Sequence, residues 1–369
     1  MNIAIDISQS IYKGTGVATY TRNLVKSLLE IDTENVYTLF GSTLRRQEEL
    51  LEFIGSLPKA KAFTAKLSLL PPTILDFLWN QLHIFSIDRF VGKQDLVHTS
   101  DWTEPPSRVP KITTIHDLIV YKYPGSLPNS IIEIQKRKLA WVEKECQAVI
   151  ADSESTKKDI VSFLQIPEKR IHVVYLGVDA IFYPQKIDSV LNLKRRFGIK
   201  KNYLLCVGTR EPRKNLQRVI DAFKELNLPD YQLVIVGNPG WGTKIKSTSN
   251  CVIAGNVSNQ DLAVFYSGAT CFVYPSLYEG FGLPVLEAMS CGTPVVTSNR
   301  GSSAEITGER SVVVEPEVVE DIARGIRIVL NWSAMDRKKM ISQAIKHAKK
   351  FTWKKTAQNT IQVYKSVIK

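Results

Sequence analysis

Short apolar runs alternate along this chain with longer stretches in which apolar residues recur every three or four positions. The runs read as buried strands and the longer stretches as amphipathic helices. In the first half, strands are expected at Ile3–Ile7, Val36–Phe40, Asp95–His98, Ile112–Ile115, Ala148–Ala151 and Ile171–Tyr175. Helices are expected between them, notably Val17–Leu29, Ile131–Cys146 and Ser155–Leu164. From Gly177 to Lys201 the pattern lapses into a Pro- and charge-bearing stretch, with Tyr183-Pro184 and Lys194-Arg195-Arg196, which reads as a connector. The alternation then restarts at Tyr203–Val207, Gln232–Val236, Cys251–Ala254, Cys271–Tyr274, Pro294–Ser298 and Ser311–Val314. Strands alternating with helices predict parallel sheets, so an α/β fold of two similar halves around a cleft is expected. Ligands in such sheets bind beyond the carboxyl ends of strands.

Composition adds bounds. A chain of 369 residues is long for one core, and 44% hydrophobic with 23% charged residues is ordinary for a globular protein. The greasiest stretch, Leu67 to Phe85, is broken by Pro71, Pro72, Asp76 and Asn80. No apolar run reaches the roughly 18 residues of a spanning helix. Met1-Asn-Ile-Ala-Ile-Asp6 leads straight into a strand, which predicts no signal peptide and a cytosolic protein. The five cysteines are scattered without a Cys-x-x-Cys pair and read as free core thiols.

The net charge of +12 is concentrated late. From Asn331 onward stand Arg337, Lys338, Lys339, Lys346, Lys349, Lys350, Lys354, Lys355, Lys365 and Lys369 against the single acid Asp336. Interleaved exposed aromatics and a nucleic-acid module are both missing, which argues against nucleic acid. An anionic membrane surface suits the charge, and a solvated lysine-rich helical face is the plainer explanation.

The chemistry gathers in four places. Residues 279 to 287 read Glu-Gly-Phe-Gly-Leu-Pro-Val-Leu-Glu, following the strand Cys271–Tyr274. A glycine turn running into Pro284 predicts a helix start whose free amides can hold an anion, with Gly280 and Gly282 allowing close approach. Carboxylates would repel a phosphate, so Glu279 and Glu287 are better suited to accept from hydroxyls on either side of it. A nucleotide diphosphate sugar has that layout. An ordinary helical glutamate at position 287, or a hydrolase's acid–base pair, competes.

Gly14-Thr-Gly-Val-Ala-Thr19 nearly matches a dinucleotide fingerprint, but strand two ends Thr38-Leu-Phe-Gly41 with no ribose-binding acid. The hydride-transfer reading weakens, and a phosphate or sugar contact at Gly16 remains. His116-Asp117 follows a buried strand, where His116 can donate to a hydroxyl or act as acid or base. A metal site is the weaker reading, since no His-x3-His or Asp-x-Asp occurs. Val207-Gly208-Thr-Arg-Glu-Pro-Arg-Lys-Asn215 sets Arg210, Arg213 and Lys214 at a strand-to-helix turn, suited to a diphosphate.

These motifs in this order resemble the retaining glycosyltransferases of family 4, over essentially the whole chain. Further blocks that carry the resemblance are Val149-Ile-Ala-Asp-Ser153, Val173-Val-Tyr-Leu-Gly-Val-Asp179, Gly255-Asn-Val257, Tyr274 to Gly282 and Gly292-Thr-Pro-Val-Val296. The resemblance implies the GT-B fold of two facing Rossmann-like domains. The expected division is 1–180 for the acceptor side, with a returning helix from about 352 to 369, and 181–351 for the nucleotide sugar. Donor contacts are implied at Gly16, Lys214, Val257, Gly280, Phe281, Gly282, Leu283 and Glu287, with Glu279 on the sugar and Glu287 on the ribose. In the family an arginine follows the glycine directly; Thr209 stands there, leaving Arg210 or Arg213 to substitute. His116, Glu279 and Lys214 would carry the chemistry, His116 beside the donor sugar.

The resemblance further implies transfer with retention at the anomeric carbon, no cofactor and no metal. The donor would be a GDP-, UDP- or ADP-sugar, with GDP-mannose the first choice, and the acceptor a glycan or lipid-linked hydroxyl. Cell-surface polysaccharide or glycolipid synthesis in the cytoplasm, at the inner face of the membrane, is the expected setting. A nucleotide-sugar epimerase or hydrolase, or a silent nucleotide-sugar-binding protein of the same fold, are the alternatives.

Overall fold

Strand β1 (Asn2–Asp6) is buried from its second residue onward, and it is an inner strand of a parallel sheet. Its neighbours are β2 (Val36–Ser42) and β4 (Leu96–Thr99), with Ile3 opposite Tyr37 on one side and Leu96 on the other. Adding β3 (Phe63–Ser68), β5 (Lys111–Ile115), β6 (Ala148–Ala151) and β7 (Ile171–Val173) gives seven strands in the order β3-β2-β1-β4-β5-β6-β7. The computed structural model describes residues 1–58, 62–99, 101–242, 245–246 and 249–368.

A second parallel sheet has six strands: β8 (Asn202–Val207), β9 (Tyr231–Val236), β10 (Cys251–Gly255), β11 (Cys271–Tyr274), β12 (Val295–Ser298) and β13 (Val312–Val314). Their order is β10-β9-β8-β11-β12-β13. Both sheets are Rossmann-like, with near-continuous Val, Ile and Leu runs because helices cover both faces. Leu204, Ile220, Phe223, Leu233, Val273 and Ile326 fill one side of the second sheet. Burying one such side chain contributes about 1.5–3 kcal/mol.

Each order reverses at one point, between β1 and β4 and between β8 and β11. Loops after those strands flank a crevice at a topological switch point. The loop after β8 carries Arg210, Arg213 and Lys214, and the loop after β11 carries Glu279.

The chain divides into Met1–Gly177 with Trp353–Lys369, and Val178–Thr352. The second unit begins at 178 because the Val178 amide already bonds the Phe351 carbonyl within it. Helix Trp353–Val367 belongs to the first unit, where Tyr364 reaches the buried His98 of β4. The C-terminal basic residues are thereby split: Arg337 to Lys350 belong to one unit and Lys354 onward to the other. Lys369 lies outside the described residues.

Two elements differ from expectation. Strand β3 was not anticipated, because Phe-Thr-Ala-Lys-Leu-Ser at a sheet edge is exposed over most of its length and has no apolar run. The connector contains a helix, Ile187–Arg196, which buries Val190 and Leu193 one turn apart while Lys194, Arg195 and Arg196 stand at its carboxyl end. Cations there favour the helix dipole. The greasy stretch is the end of β3, a helical turn Pro72–Leu75 and a π-helical Asp76–Gln81, with Leu75 and Trp79 facing the core. No helix among the described residues is long and apolar enough to cross a membrane.

Candidate active site

After β8 the chain turns through Pro212–Lys214 and enters helix Leu216–Leu226 at Asn215, whose φ is +60°. That side chain donates to the carbonyls of Pro275 and Pro316, tying the turn to the loop after β11. The Leu277 amide donates to the Arg213 carbonyl, so the two loops meet backbone to side chain and backbone to backbone.

This seam brings Glu279 against two cations. Its Oε1 lies 2.8 Å from Lys214 Nζ and its Oε2 lies 2.8 Å from Arg213 Nη1. Arg213 also donates to the Tyr278 carbonyl and to Glu211, while Lys214 donates to the Tyr274 hydroxyl at 2.6 Å. Glu279 is only 7% exposed. Burial alone would raise its carboxyl, but Arg213 and Lys214 outweigh that and hold it at about 2. Burial pushes the Lys214 ammonium down, Arg213 adds to this, and Glu279 opposes both. The carboxylate stays charged with both oxygens oriented, an acceptor fixed in place.

Gly282, at φ +92°, caps helix Leu283–Ser290, with Pro284 in its first turn. A left-handed residue here is cheap only for glycine. Phe281 is buried against Phe351 at a 6.2 Å ring separation. Glu287 sits one turn into this helix and accepts from the Tyr266 hydroxyl at 3.0 Å. Burial raises its carboxyl to about 7; the Tyr266 bond lowers it and Asp179 raises it further. The two glutamates of one motif are therefore tuned in opposite directions.

In the first unit, Gly16 is exposed and opens helix Gly16–Ile31, capped by Thr15, whose side chain accepts from the Ala18 amide. His116 follows β5. Its Nδ1 lies 2.6 Å from Asp152 Oδ2, and the Tyr20 ring meets it edge-on at 4.7 Å. Burial opposes its charge, but Asp152 raises it to about 9.

Two family models match the chain in sequence order. Residues 14–181 match Glycosyltransferase Family 4, and residues 191–347 match Glycosyl transferases group 1. The chain belongs to glycosyltransferase family 4. O-antigen chain mannosyltransferase B of Escherichia coli is similar at 27% identity over 378 residues, covering 96% of this chain and 97% of that protein. A glycosyltransferase from Rickettsia africae ESF-5 has the same fold, with a TM-score of 0.75 at 19% identity, over 100% of this chain and 98% of that one. Anabaena Alr3699/HepE, solved in complex with UDP-glucose, superposes with a TM-score of 0.75 at 16% identity, over 99% and 100%.

Within this glycosyltransferase, Arg213, Lys214 and Glu279 are in direct contact, and Gly280, Phe281, Gly282, Leu283 and Glu287 continue from them along one turn and helix. Val257 is half-buried and follows the edge strand β10, two places from β8 in the sheet. The two arginines are unlike. Arg213 is committed to Glu211, Glu279 and a carbonyl, whereas the half-buried Arg210 makes no ion pair with a described residue. Tyr274, Tyr266, Glu211 and Asp152 were not singled out from sequence. Tyr274 and Asp152 had a signal, each standing at the end of an apolar strand where site residues gather; Glu211 and Tyr266 had none. Among the described residues no cluster of three or more His, Cys, Asp or Glu is arranged around a metal position.

Proposed function

We propose that this glycosyltransferase moves a hexose, mannose in the first instance, from a nucleoside diphosphate sugar to a hydroxyl of a glycan or lipid-linked acceptor. The reaction retains the anomeric configuration, needs no metal, and serves cell-surface polysaccharide or glycolipid synthesis at the cytoplasmic face of the membrane. The observation that carries the reading is the buried Glu279 carboxylate held by Arg213 and Lys214 at a strand-order reversal. A charged acceptor of hydrogen bonds beside a lysine suits a sugar hydroxyl next to a phosphate.

Lys214 and Arg210 would neutralise the diphosphate, with the amides near Gly282 adding dipoles, and Arg213 would keep Glu279 in place. The C1–O bond to phosphate breaks, the acceptor oxygen bonds C1 from the same face, and its proton passes to the leaving phosphate oxygen. The products are the glycoside and a nucleoside diphosphate. Stabilising the departing charge is the main catalytic contribution, and one such contact is typically worth about 10²–10³ in turnover. Glu287 would hold the ribose and His116 a sugar oxygen.

Mannose is favoured by the similarity to O-antigen chain mannosyltransferase B over nearly the full length. The complex of Anabaena Alr3699/HepE with UDP-glucose keeps a uridine donor in view. A thermal-shift series with GDP-mannose, UDP-glucose and ADP-glucose decides, because a donor at 100 times its Kd adds about 2.7 kcal/mol of stability. GDP-mannose should give the largest shift. No shift with any of the three would sink the reading, and rapid donor cleavage insensitive to every glycan acceptor would point to a hydrolase.

A further inference from the structure

Strands β5 and β6 pair with Ile115 opposite Ala151, so the next residues, His116 and Asp152, emerge side by side at the carboxyl edge of the first sheet. Asp152 is 2% exposed; its Oδ2 meets His116 Nδ1, and its Oδ1 has no hydrogen-bond partner among the described residues. A buried carboxylate so poorly satisfied is costly unless an opposite charge sits against it. Burial leaves the Asp152 carboxyl above its ordinary value, and the imidazole is the charge that opposes this. Asp152 is not needed to cap the helix that follows, since Ser153 already accepts from the Thr156 amide.

A second histidine provides the contrast. His98 uses both ring nitrogens inside the fold, bonding the Tyr364 and Thr114 hydroxyls, and burial, then His116 and Lys138, drive it down to about 3. It is a neutral core residue. His116 has a partner on Nδ1, and its Nε2 bonds no described residue. The ring lines a cavity shared with Asp6, Gln9, Tyr20, Asp101 and Thr114. The acids Asp6 and Asp101 would repel a phosphate, so the chemistry that fits is a sugar hydroxyl, receiving from the imidazole and donating to a carboxylate.

We propose that Asp152 is a positioning residue that holds His116 as an imidazolium, with Nε2–H presented to a hydroxyl oxygen of a bound sugar. This rests on the reading of His116 as a substrate contact. The charged and titratable groups facing His116 are Asp152 after β6, Asp101 from the loop after β4, Asp117 beside it, Tyr20 from helix Gly16–Ile31 and His98 from β4. Among these Asp152 has the direct hydrogen bond, and the other acids act through space.

The test compares Asp152→Asn, His116→Gln and the double variant by ring-proton NMR titration and by turnover of GDP-mannose, or of UDP-glucose if the thermal screen selects it. The His116 resonance, assigned by its loss in His116→Gln, should titrate near 9 in the parent. In Asp152→Asn it should fall to about 6.5 or below. Turnover should drop at least about tenfold in each single variant, and the double should lose no more than about twofold beyond the worse single, as residues acting as one unit do. Between pH 6 and 8, Asp152→Asn should lose turnover as its imidazole deprotonates, while the parent keeps its imidazolium.

An unchanged titration in Asp152→Asn, or multiplicative losses in the double, would overturn the positioning role. Parent-level turnover in His116→Gln would instead overturn the reading of His116 itself, which separates the two failures. Should Asp152→Asn not fold, Asp152→Glu serves. There the raised titration should persist while turnover falls, and a titration near 6.5 would count against the proposal.

Discussion

Lys214 Nζ and Glu279 Oε1 lie 2.8 Å apart although 65 residues separate them in the chain. The contact exists because β8 and β11 are neighbours in the sheet, so the loops leaving their carboxyl ends run together. It places a cation suited to phosphate beside an acceptor suited to a hydroxyl.

Glu279→Gln and Lys214→Ala should each lower transfer by at least about tenfold while leaving the fold intact. Steady-state rates with the selected donor, alongside far-UV circular dichroism, check this. Near-parent transfer in both variants would remove these residues from the chemistry.

Acid should destabilise the second unit through Glu279. Its folded carboxyl is held at about 2, below the ordinary value of roughly 4.3 in an unfolded chain. The unfolded state therefore binds the proton first, and the stability this group contributes is present above about pH 5 and lost as pH falls toward 2. Melting curves of parent and Glu279→Gln should converge over that window.

Glu287 predicts the opposite slope near neutrality. With its folded carboxyl raised to about 7, the native state holds a proton that the unfolded state has released, so this contribution declines as pH rises from about 4.5 to 7. If the carboxylate is the form that accepts from ribose, donor affinity should rise from pH 6 to 8 and flatten in Glu287→Gln. Calorimetric titration at both pH values measures it.

Gly301→Ala should impair activity although it alters no charged side chain. Gly301 has φ +64°, and an added Cβ would stand 2.6 Å from the Glu279 carbonyl oxygen and 2.8 Å from its amide nitrogen. The backbone of Glu279 must shift, at a cost of roughly 1–3 kcal/mol for strain and overpacking. A lower Tm together with a lower kcat is expected, and an unchanged kcat would show that Glu279 tolerates displacement.

Tyr364→Phe removes the hydroxyl that satisfies His98 Nδ1 at 2.9 Å and leaves a buried polar atom unpaired. A loss of about 1–3 kcal/mol is expected in urea unfolding, because the returning helix is anchored to the first sheet by this bond.

The strand periodicity was legible because a parallel sheet covered on both faces writes uninterrupted apolar runs into the sequence, as in Cys271–Tyr274. Strand β3 was illegible for the converse reason. It lies at an edge, faces solvent, and depends for its existence on pairing with β2. Helix Ile187–Arg196 was hidden behind Tyr183-Pro184 and its basic end, since two buried residues one turn apart make a weak signal. At the site, the glycine and proline setting of Glu279–Glu287 could be read locally, because turn and capping chemistry depends on neighbours in the chain.

The family, by the resemblance of its motifs, the α/β alternation, a helix start near Pro284 and the residue types suited to a nucleotide sugar could therefore be read without coordinates. The last three follow from local spacing or from backbone limits that act within a few residues. What those residues do to one another came from the folded chain. It bound Arg213 to Glu279 and Glu211 and left Arg210 less committed. It held one glutamate of the motif near 2 and raised the other to about 7, and it set Asp152 behind His116. Charge state and side-chain partnership depend on burial and on groups brought from distant positions, and sheet pairing supplies both.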